Sequence, residues 1–285
     1  MEIDIEHLRQ WIGNSETSID NVNPGPVAAL RATLDLDDGL PRLGEVLPPL
    51  WHWLYFLEHT RQGELAENGH DSGTTFLPPA PFARRMYAGN TLQFHQPLRI
   101  GDEVSRTSTI DDVSSKQGKS GPLLFVKVKH AISNQDGLAI TEYHDIVYRE
   151  PPVTAQESAH QHTEGEAAWS QEFVTDSRLL FRYSALTFNT HRIHYDQPYT
   201  TEVEGYPGLL VHGPLLATLL LQSLQQHRPD AVVQSFRFRA LHAIYNEQPF
   251  SLHGRPAPDH RHVRLWVTDQ QGVMCVEANA EISEK

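Results

Sequence analysis

The densest group of chemically capable side chains lies in residues 181–196, FRYSALTFNTHRIHYD, where Asn189, His191, His194 and Asp196 stand close together. Imidazole takes up and releases protons near neutral pH more readily than any other side chain. Two histidines flanked by an amide and a carboxylate could therefore move a proton on and off a water molecule or a reacting carbon. The same spacing, His191-x-x-His194-x-Asp196, could instead hold zinc and activate water by Lewis-acid chemistry. Downstream, residues 208–214 read GLLVHGP, which puts His212 and Gly213 just ahead of an apolar run. Backbone N–H groups at a helix start can stabilise a developing oxyanion, and glycine allows close approach. Any single histidine among the 17 is more simply read as a hydrogen-bonded structural residue, so it is the clustering that singles out His194. Asp196 reads equally well as structural.

These residues need elements to hold them. Residues 214–226 are Leu-rich with apolar side chains nearly all round, the pattern of a buried helix, and Arg228-Pro229 ends it. A counterpart is expected over residues 47–58. There Pro48 and Pro49 fit a first helical turn, and Trp51, Trp53, Tyr55 and Phe56 make a packed face. Alternating runs at 123–132 and 138–148 flank the turn Asn134-Gln135-Asp136-Gly137. Runs at 262–268 and 273–282 flank Asp269-Gln270-Gln271-Gly272 in the same way. Residues 91–98 match 235–241 in character, while a longer loop at 111–121 sets the first half apart. Between the halves lies PPVTAQESAHQHTEGE, which has no apolar periodicity. The expected organisation is α+β, with domains at 1–150 and 167–285 and a linker at 151–166. Each domain would be an antiparallel sheet wrapped around a helix.

A chain of 285 residues suits two such domains. Its net charge of -13 gives no general attraction for nucleic acid or an anionic membrane. Cys275, the one cysteine, sits in an apolar alternating run and reads as an inert buried thiol. Without a partner it makes no intrachain disulfide, which fits a reducing, cytoplasmic setting. The opening residues MEIDIE read as neither signal nor transit peptide, and residues 215–221 are too short to span a bilayer.

The segment at 181–196 with the His212-Gly213 pair resembles the MaoC-like, (R)-specific enoyl-thioester hydratases. In that family an Asp-x-Asn-Pro-Leu/Ile-His segment lies beside a central helix, and a His-Gly pair follows at the helix start. Ile193-His194 and Val211-His212-Gly213 match directly. Asn189 stands in place of the family's Asp, His191 in place of Asn, and Arg192 in place of Pro. The form TFNTHRIHYD is closer to a subgroup that includes hydroxyacyl-thioester dehydratases and the mesaconyl-C4-CoA and itaconyl-CoA hydratases. PPLWHW at 48–53 and RRMYAG at 84–89 look like its CoA-linked dicarboxylate members. The resemblance implies a tandem double hot dog whose first half is degenerate and non-catalytic.

It also implies roles. Adding water to an enoyl thioester needs a base for water, an acid for Cα and donors for the enolate oxygen. His194 is the expected acid/base, His191 the second proton-transfer group and Asn189 the group that orients water. Asp196 would orient a histidine, and Gly213 would supply backbone N–H. No metal or separate cofactor is expected, because CoA belongs to the substrate. Arg84, Arg85 and Lys119 are candidates for the CoA phosphates, with Lys116, Arg237 and Arg239 behind them. The lysines read more readily as solvation of a hairpin loop. A second carboxylate would want Arg192, with Arg182 and Arg85 as alternatives, and His212 and Tyr183 complete the substrate-binding set. A homodimer is possible. An acyl-carrier-protein dehydratase would need a basic docking patch that this acidic chain lacks. A thioesterase would want a carboxylate on the central helix, where residues 214–226 carry none. The intact polar cluster argues against a non-catalytic acyl-CoA-binding protein.

Overall fold

A computed structural model describes residues 3–71, 76–82, 84–118, 121–150 and 166–284, with Arg84 described by its backbone. A short helix α1 (Ile5–Leu8) precedes strand β1 (Ser15–Asn21) and helix α2 (Pro24–Thr33). Strands β2 (Arg84–Phe94), β3 (Glu103–Gly118), β4 (Gly121–Asn134) and β5 (Gly137–Arg149) complete the first half. The second half runs β6 (Trp169–Phe173), α3 (Ser177–Leu186), α4 (Gly213–His227), β7 (Ala231–Ala240), β8 (Phe250–Pro256), β9 (His262–Asp269) and β10 (Met274–Glu284). Among the described residues these strands make one antiparallel sheet in the order β1-β3-β4-β5-β2-β7-β10-β9-β8-β6. Outward from the β2–β7 seam, the two halves repeat the same strand order. This is the α+β double hot dog expected from the sequence.

Helix α4 is the buried helix expected over 214–226. Leu215, Leu216, Leu219, Leu220, Leu221 and Leu224 are all buried, and each contributes roughly 1.5–3 kcal/mol of hydrophobic stabilisation. The helix packs against β7, β8 and β9. One apolar core runs through both halves, from Val22, Leu30 and Leu50 to Leu215, Leu220 and Phe236. Cys275 is buried and free. Among the described residues no helix is long and apolar enough to cross a membrane.

The helix expected over 47–58 does not form. Only a 3-10 turn, Trp51–Leu54, appears there, bracketed by left-handed residues Leu50 (φ 70°) and Phe56 (φ 57°). Local side-chain demands break the helical ladder. The Tyr55 hydroxyl donates to the Asn23 carbonyl at 2.6 Å, and the Phe56 N–H donates to the Asp20 carboxylate at 2.7 Å. Helix α2, hidden in the sequence behind Asn23-Pro24-Gly25-Pro26, packs instead against α3 of the second half. Its prolines fall in the first turn, where a missing N–H does no harm. Residues 111–118, expected as loop, continue β3 in register with β4. The linker residues 151–165 lie outside the described residues, as does Lys119.

The halves meet where β2 pairs with β7, from Gly89↔Arg239 to Gln93↔Ser235. Gly89 has φ +151°, and a Cβ there would come within 2.1 Å of the Phe238 carbonyl oxygen. Backbone cannot give way like a flexible side chain. Gly89→Ala is therefore expected to lower the melting temperature by at least about 5 °C. A thermal melt unchanged to within about 1 °C would mean that the seam does not constrain this residue.

Candidate active site

A cavity of about 780 Å³ opens between the halves, lined by residues from both. His194 lies in a 3-10 turn, Arg192–His194, and is 8% exposed. Its Nδ1 donates to the Leu210 carbonyl at 2.8 Å, which fixes the tautomer and leaves Nε2 as the lone-pair nitrogen. The Leu210 N–H in turn donates to the Ile193 carbonyl at 2.9 Å, so the two segments hold each other. The His194 ring stacks on His212, with centroids 3.7 Å apart. His212 is fixed from behind, its Nε2 2.8 Å from the Ser184 hydroxyl on α3. Tyr183, also on α3, packs edge-on against His212 at 5.0 Å. It supports that ring from behind, whereas His194, His212 and Gly213 line the cavity.

Because the His212 side chain turns to Ser184, it makes no capping bond to α4. The first-turn N–H groups of α4, beginning at Gly213, thus lack a side-chain acceptor at the cavity wall. His191 meets His194 edge-on at 5.7 Å. Asn189 lines the cavity beside it and uses Oδ1 to accept the His191 N–H at 3.0 Å.

The histidine row has a member that the sequence did not reveal. His70, from the first half, lies 4.0 Å from His191. Its loop is pinned to the segment it serves. The Thr190 hydroxyl donates to the Gly69 carbonyl at 2.6 Å, and the Arg192 N–H donates to the Asn68 carbonyl at 2.9 Å. At Gly69 (φ +89°) a Cβ would lie 1.8 Å from the Thr190 carbonyl oxygen, so only glycine fits. The turn-like string Asn68-Gly69-His70-Asp71 was the one available signal, and nothing in it points to residues more than a hundred positions away.

Burial favours the uncharged form of every imidazole in the row. It lowers His194 to about 4, against a small upward push from the Leu210 hydrogen bond. His70 falls to about 4 and His191 to about 2, through burial first and then neighbouring positive charge, including Arg85. His212 is pushed well below its ordinary value by burial, then by His194 and His191.

Two expected site residues are engaged elsewhere. The Asp196 carboxylate accepts from the Arg192 guanidinium at 2.8 Å and from the Tyr199 N–H at 3.1 Å, and neither contact is with a histidine. Arg192 also donates to the Glu67 carbonyl at 3.1 Å and lies 3.8 Å over the Tyr199 ring. A short i,i+4 pairing has captured both charges, so Arg192 does not line the cavity and Asp196 does not orient an imidazole. Arg182 donates to the Ala32 carbonyl at 3.2 Å, joining α3 to α2. Arg239 faces Glu277 at 3.5 Å, and Lys116 lies over Phe125. The side chains of Arg84 and Lys119 lie outside the described residues. Arg85 does line the cavity.

The first half also contributes a buried polar network. Glu142 receives Trp53 Nε1–H at 3.1 Å and the Asn90 amide, and it lies 3.0 Å from His52 Nε2. Burial alone would raise this carboxyl, but the hydrogen bond with His52 and nearby imidazoles hold it at about 2. His144 and Tyr87, beside this network, reach the cavity wall, and a Cβ on Gly213 would lie 3.4 Å from the Tyr87 ring.

Comparison with known proteins agrees with this architecture. Residues 50–246 match the family profile of hydroxyacyl-thioester dehydratase type 2. The chain is 43% identical to the mesaconyl-C(4)-CoA hydratase of Chloroflexus aurantiacus, over 95% of this chain and 96% of that one. It is 28% identical to the mitochondrial hydroxyacyl-thioester dehydratase type 2 of Schizosaccharomyces pombe, over 72% of this chain and 77% of the other. Among solved structures, a MaoC-like dehydratase from Phytophthora capsici superposes with a TM-score of 0.70 at 12% identity, covering 99% of this chain and all of that one (100%). A Mycobacterium tuberculosis protein described as a double hotdog gives a TM-score of 0.57 at 14% identity, over 95% and 96% of the two chains. The matched profile spans residues of both halves, including the His70 loop and the row from His191 to His212, and the chain belongs to the hydroxyacyl-thioester dehydratase type 2 family of hydratases and dehydratases.

Proposed function

We propose that the protein adds water to the C=C bond of a short, branched dicarboxylyl-CoA. The substrate is itaconyl-CoA, taken through mesaconyl-C4-CoA to citramalyl-CoA. One observation carries this reading. His194 has Nδ1 committed to Leu210 and Nε2 available, and it sits in a row of neutral imidazoles beside the start of α4. In the conjugated isomer, Nε2 takes a proton from water as its oxygen bonds to Cβ. The π electrons move to the thioester oxygen, where the N–H of Gly213 stabilises the enolate. The imidazolium then returns the proton to Cα, restoring the carbonyl. In itaconyl-CoA the double bond is not conjugated with the thioester, so an α proton must first leave and the terminal methylene carbon must take one up, which makes the methyl group of mesaconyl-C4-CoA. His191, with His70 packed on it, is the second proton-transfer group for that step. The activity named for the Chloroflexus relative supports the substrate class.

The geometry favours proton transfer over metal ligation. Arg192 occupies the carboxylate of Asp196, the third donor of the His-x-x-His-x-Asp set. Among the described residues no three His, Cys, Asp or Glu side chains converge as a metal site. Activity is expected to survive exhaustive chelation. Stoichiometric zinc, with turnover lost to a chelator and restored by the metal, would reassign His191 and His194 as ligands.

Burial keeps His194 neutral, and so able to accept a proton, down to about pH 4. The acidic limb of kcat/KM should therefore fall towards about pH 4 and not near 6.5. A plateau broken at pH 6–7 would point to a different base. Folding favours the neutral imidazoles, so their stabilisation is full above the unfolded value near 6.5 and fades as pH falls towards 4. Melts must accompany the acidic rate data.

His194→Ala is expected to reduce water addition by about 10²–10⁴-fold, mainly in kcat. His191→Ala is expected to fail on itaconyl-CoA while keeping turnover of mesaconyl-C4-CoA. A folded His194→Ala protein with near-normal kcat on its best substrate refutes the assignment.

A further inference from the structure

The part of the cavity wall built by β2 and β5 carries polar atoms for which water addition has no use. Among the described residues, Tyr87 Oη and His144 Nε2 are buried without hydrogen-bond partners, and their rings lie 4.8 Å apart. A buried polar atom left unpaired is destabilising, so two of them in residues that line one cavity suit oxygens that a ligand brings. Arg85 lines the same wall. Its charge acts on His144 and also on His70 and His191, which line the same cavity. Burial raises the Tyr87 phenol well above its ordinary value, so it keeps its proton. Burial likewise holds His144 neutral, at about 3, so one ring nitrogen keeps an N–H to give. The wall thus offers one cation and two uncharged donors, and the nearby Glu142 carboxylate is already engaged by His52, Trp53 and Asn90.

We propose that Arg85, Tyr87 and His144 form a subsite for a carboxylate bonded directly to Cβ of the acyl group. This rests on the hydratase reading above and deepens it. In both mesaconyl-C4-CoA and itaconyl-CoA with its thioester at C4, the free carboxylate is attached to the carbon that receives the hydroxyl. The cation that binds it must therefore stand within one side chain's reach of the base. Arg85 lines the same cavity as His194, and its charge acts on His191 and His70 of the imidazole row. Arg192 is held by Asp196 outside the cavity. A carboxylate at the far end of a longer chain would want its cation remote from the imidazoles. A plain enoyl chain would leave Tyr87 and His144 unpaired.

The test uses saturated thioesters that bind without reacting. Methylsuccinyl-C4-CoA carries the carboxylate on Cβ, and isovaleryl-CoA carries a methyl group in its place. Titration calorimetry on the full chain is expected to show methylsuccinyl-C4-CoA binding at least about 30-fold tighter. Arg85→Gln should collapse that ratio to within about threefold. Tyr87→Phe removes one oxygen, keeps the ring and so guards against misfolding of the arginine variant. It should cut the ratio about 5–10-fold. A wild-type ratio near one, or variants that weaken both ligands equally, overturns the subsite. Turnover of mesaconyl-C4-CoA and 3-methylcrotonyl-CoA, measured alongside, separates the two claims. A binding preference without turnover of either leaves the subsite standing and defeats the hydratase reading. Equal turnover of both without a binding preference does the reverse.

Discussion

The Leu210 carbonyl decides what the site can do. A buried imidazole free to choose its tautomer is a poor instrument, because either nitrogen can hold the proton. By accepting from Nδ1 of His194, that one oxygen restricts proton traffic to Nε2. The rest of the second half serves this bond. The Val211 N–H donates to the Ile244 carbonyl at 2.8 Å, and Ile193 holds Leu210, so the carbonyl cannot swing away. Ser184 on α3 ties down His212, which braces the His194 ring by stacking. The Leu-packed helix α4 anchors the far end of the segment in the core.

The two halves share a strand order but not a purpose. The second half keeps a long central helix and presents its start to the cavity. At the same point the first half has only the 3-10 turn Trp51–Leu54, and its side chains are drawn into Glu142 and the core. The first half is nevertheless more than a scaffold, since it supplies His70 to the imidazole row and Arg85, Tyr87 and His144 to the wall. Gly69 shows how closely the halves are fitted, because its backbone rests on the Thr190 carbonyl with no room for a methyl group.

Much of this was legible in the sequence where the signal is periodic. Hairpins with Asn-Gln-Asp-Gly and Asp-Gln-Gln-Gly turns, and the Leu-rich α4, carry patterns of their own, so residues 123–148 and 262–282 read correctly as paired strands. The cluster of Asn189, His191 and His194 was visible because it is compact. Contacts set by pairing across the seam were hidden. Nothing local links His70 to His191, or Tyr87 to His144, until β2 finds β5 and the loop at Gly69 docks. Trp51 to Phe56 misled because aromatic density marks burial but not helix. Arg192 and Asp196 lie four apart on a tight turn and neutralise each other, which removes both from the cavity.

The seam at Gly89 has one more consequence. Both walls of the cavity belong to a single covalent chain, so the encounter that builds it is intramolecular. Bringing His70 against His191 is governed by an effective concentration set by the chain, which is on the order of millimolar for a short flexible tether. Dilution therefore cannot separate the wall that carries Arg85 from the row that carries His194. A symmetric pair of identical subunits would have to repeat every residue on both sides of its axis. Here Gly89 faces Arg239, and a change on either strand stands alone.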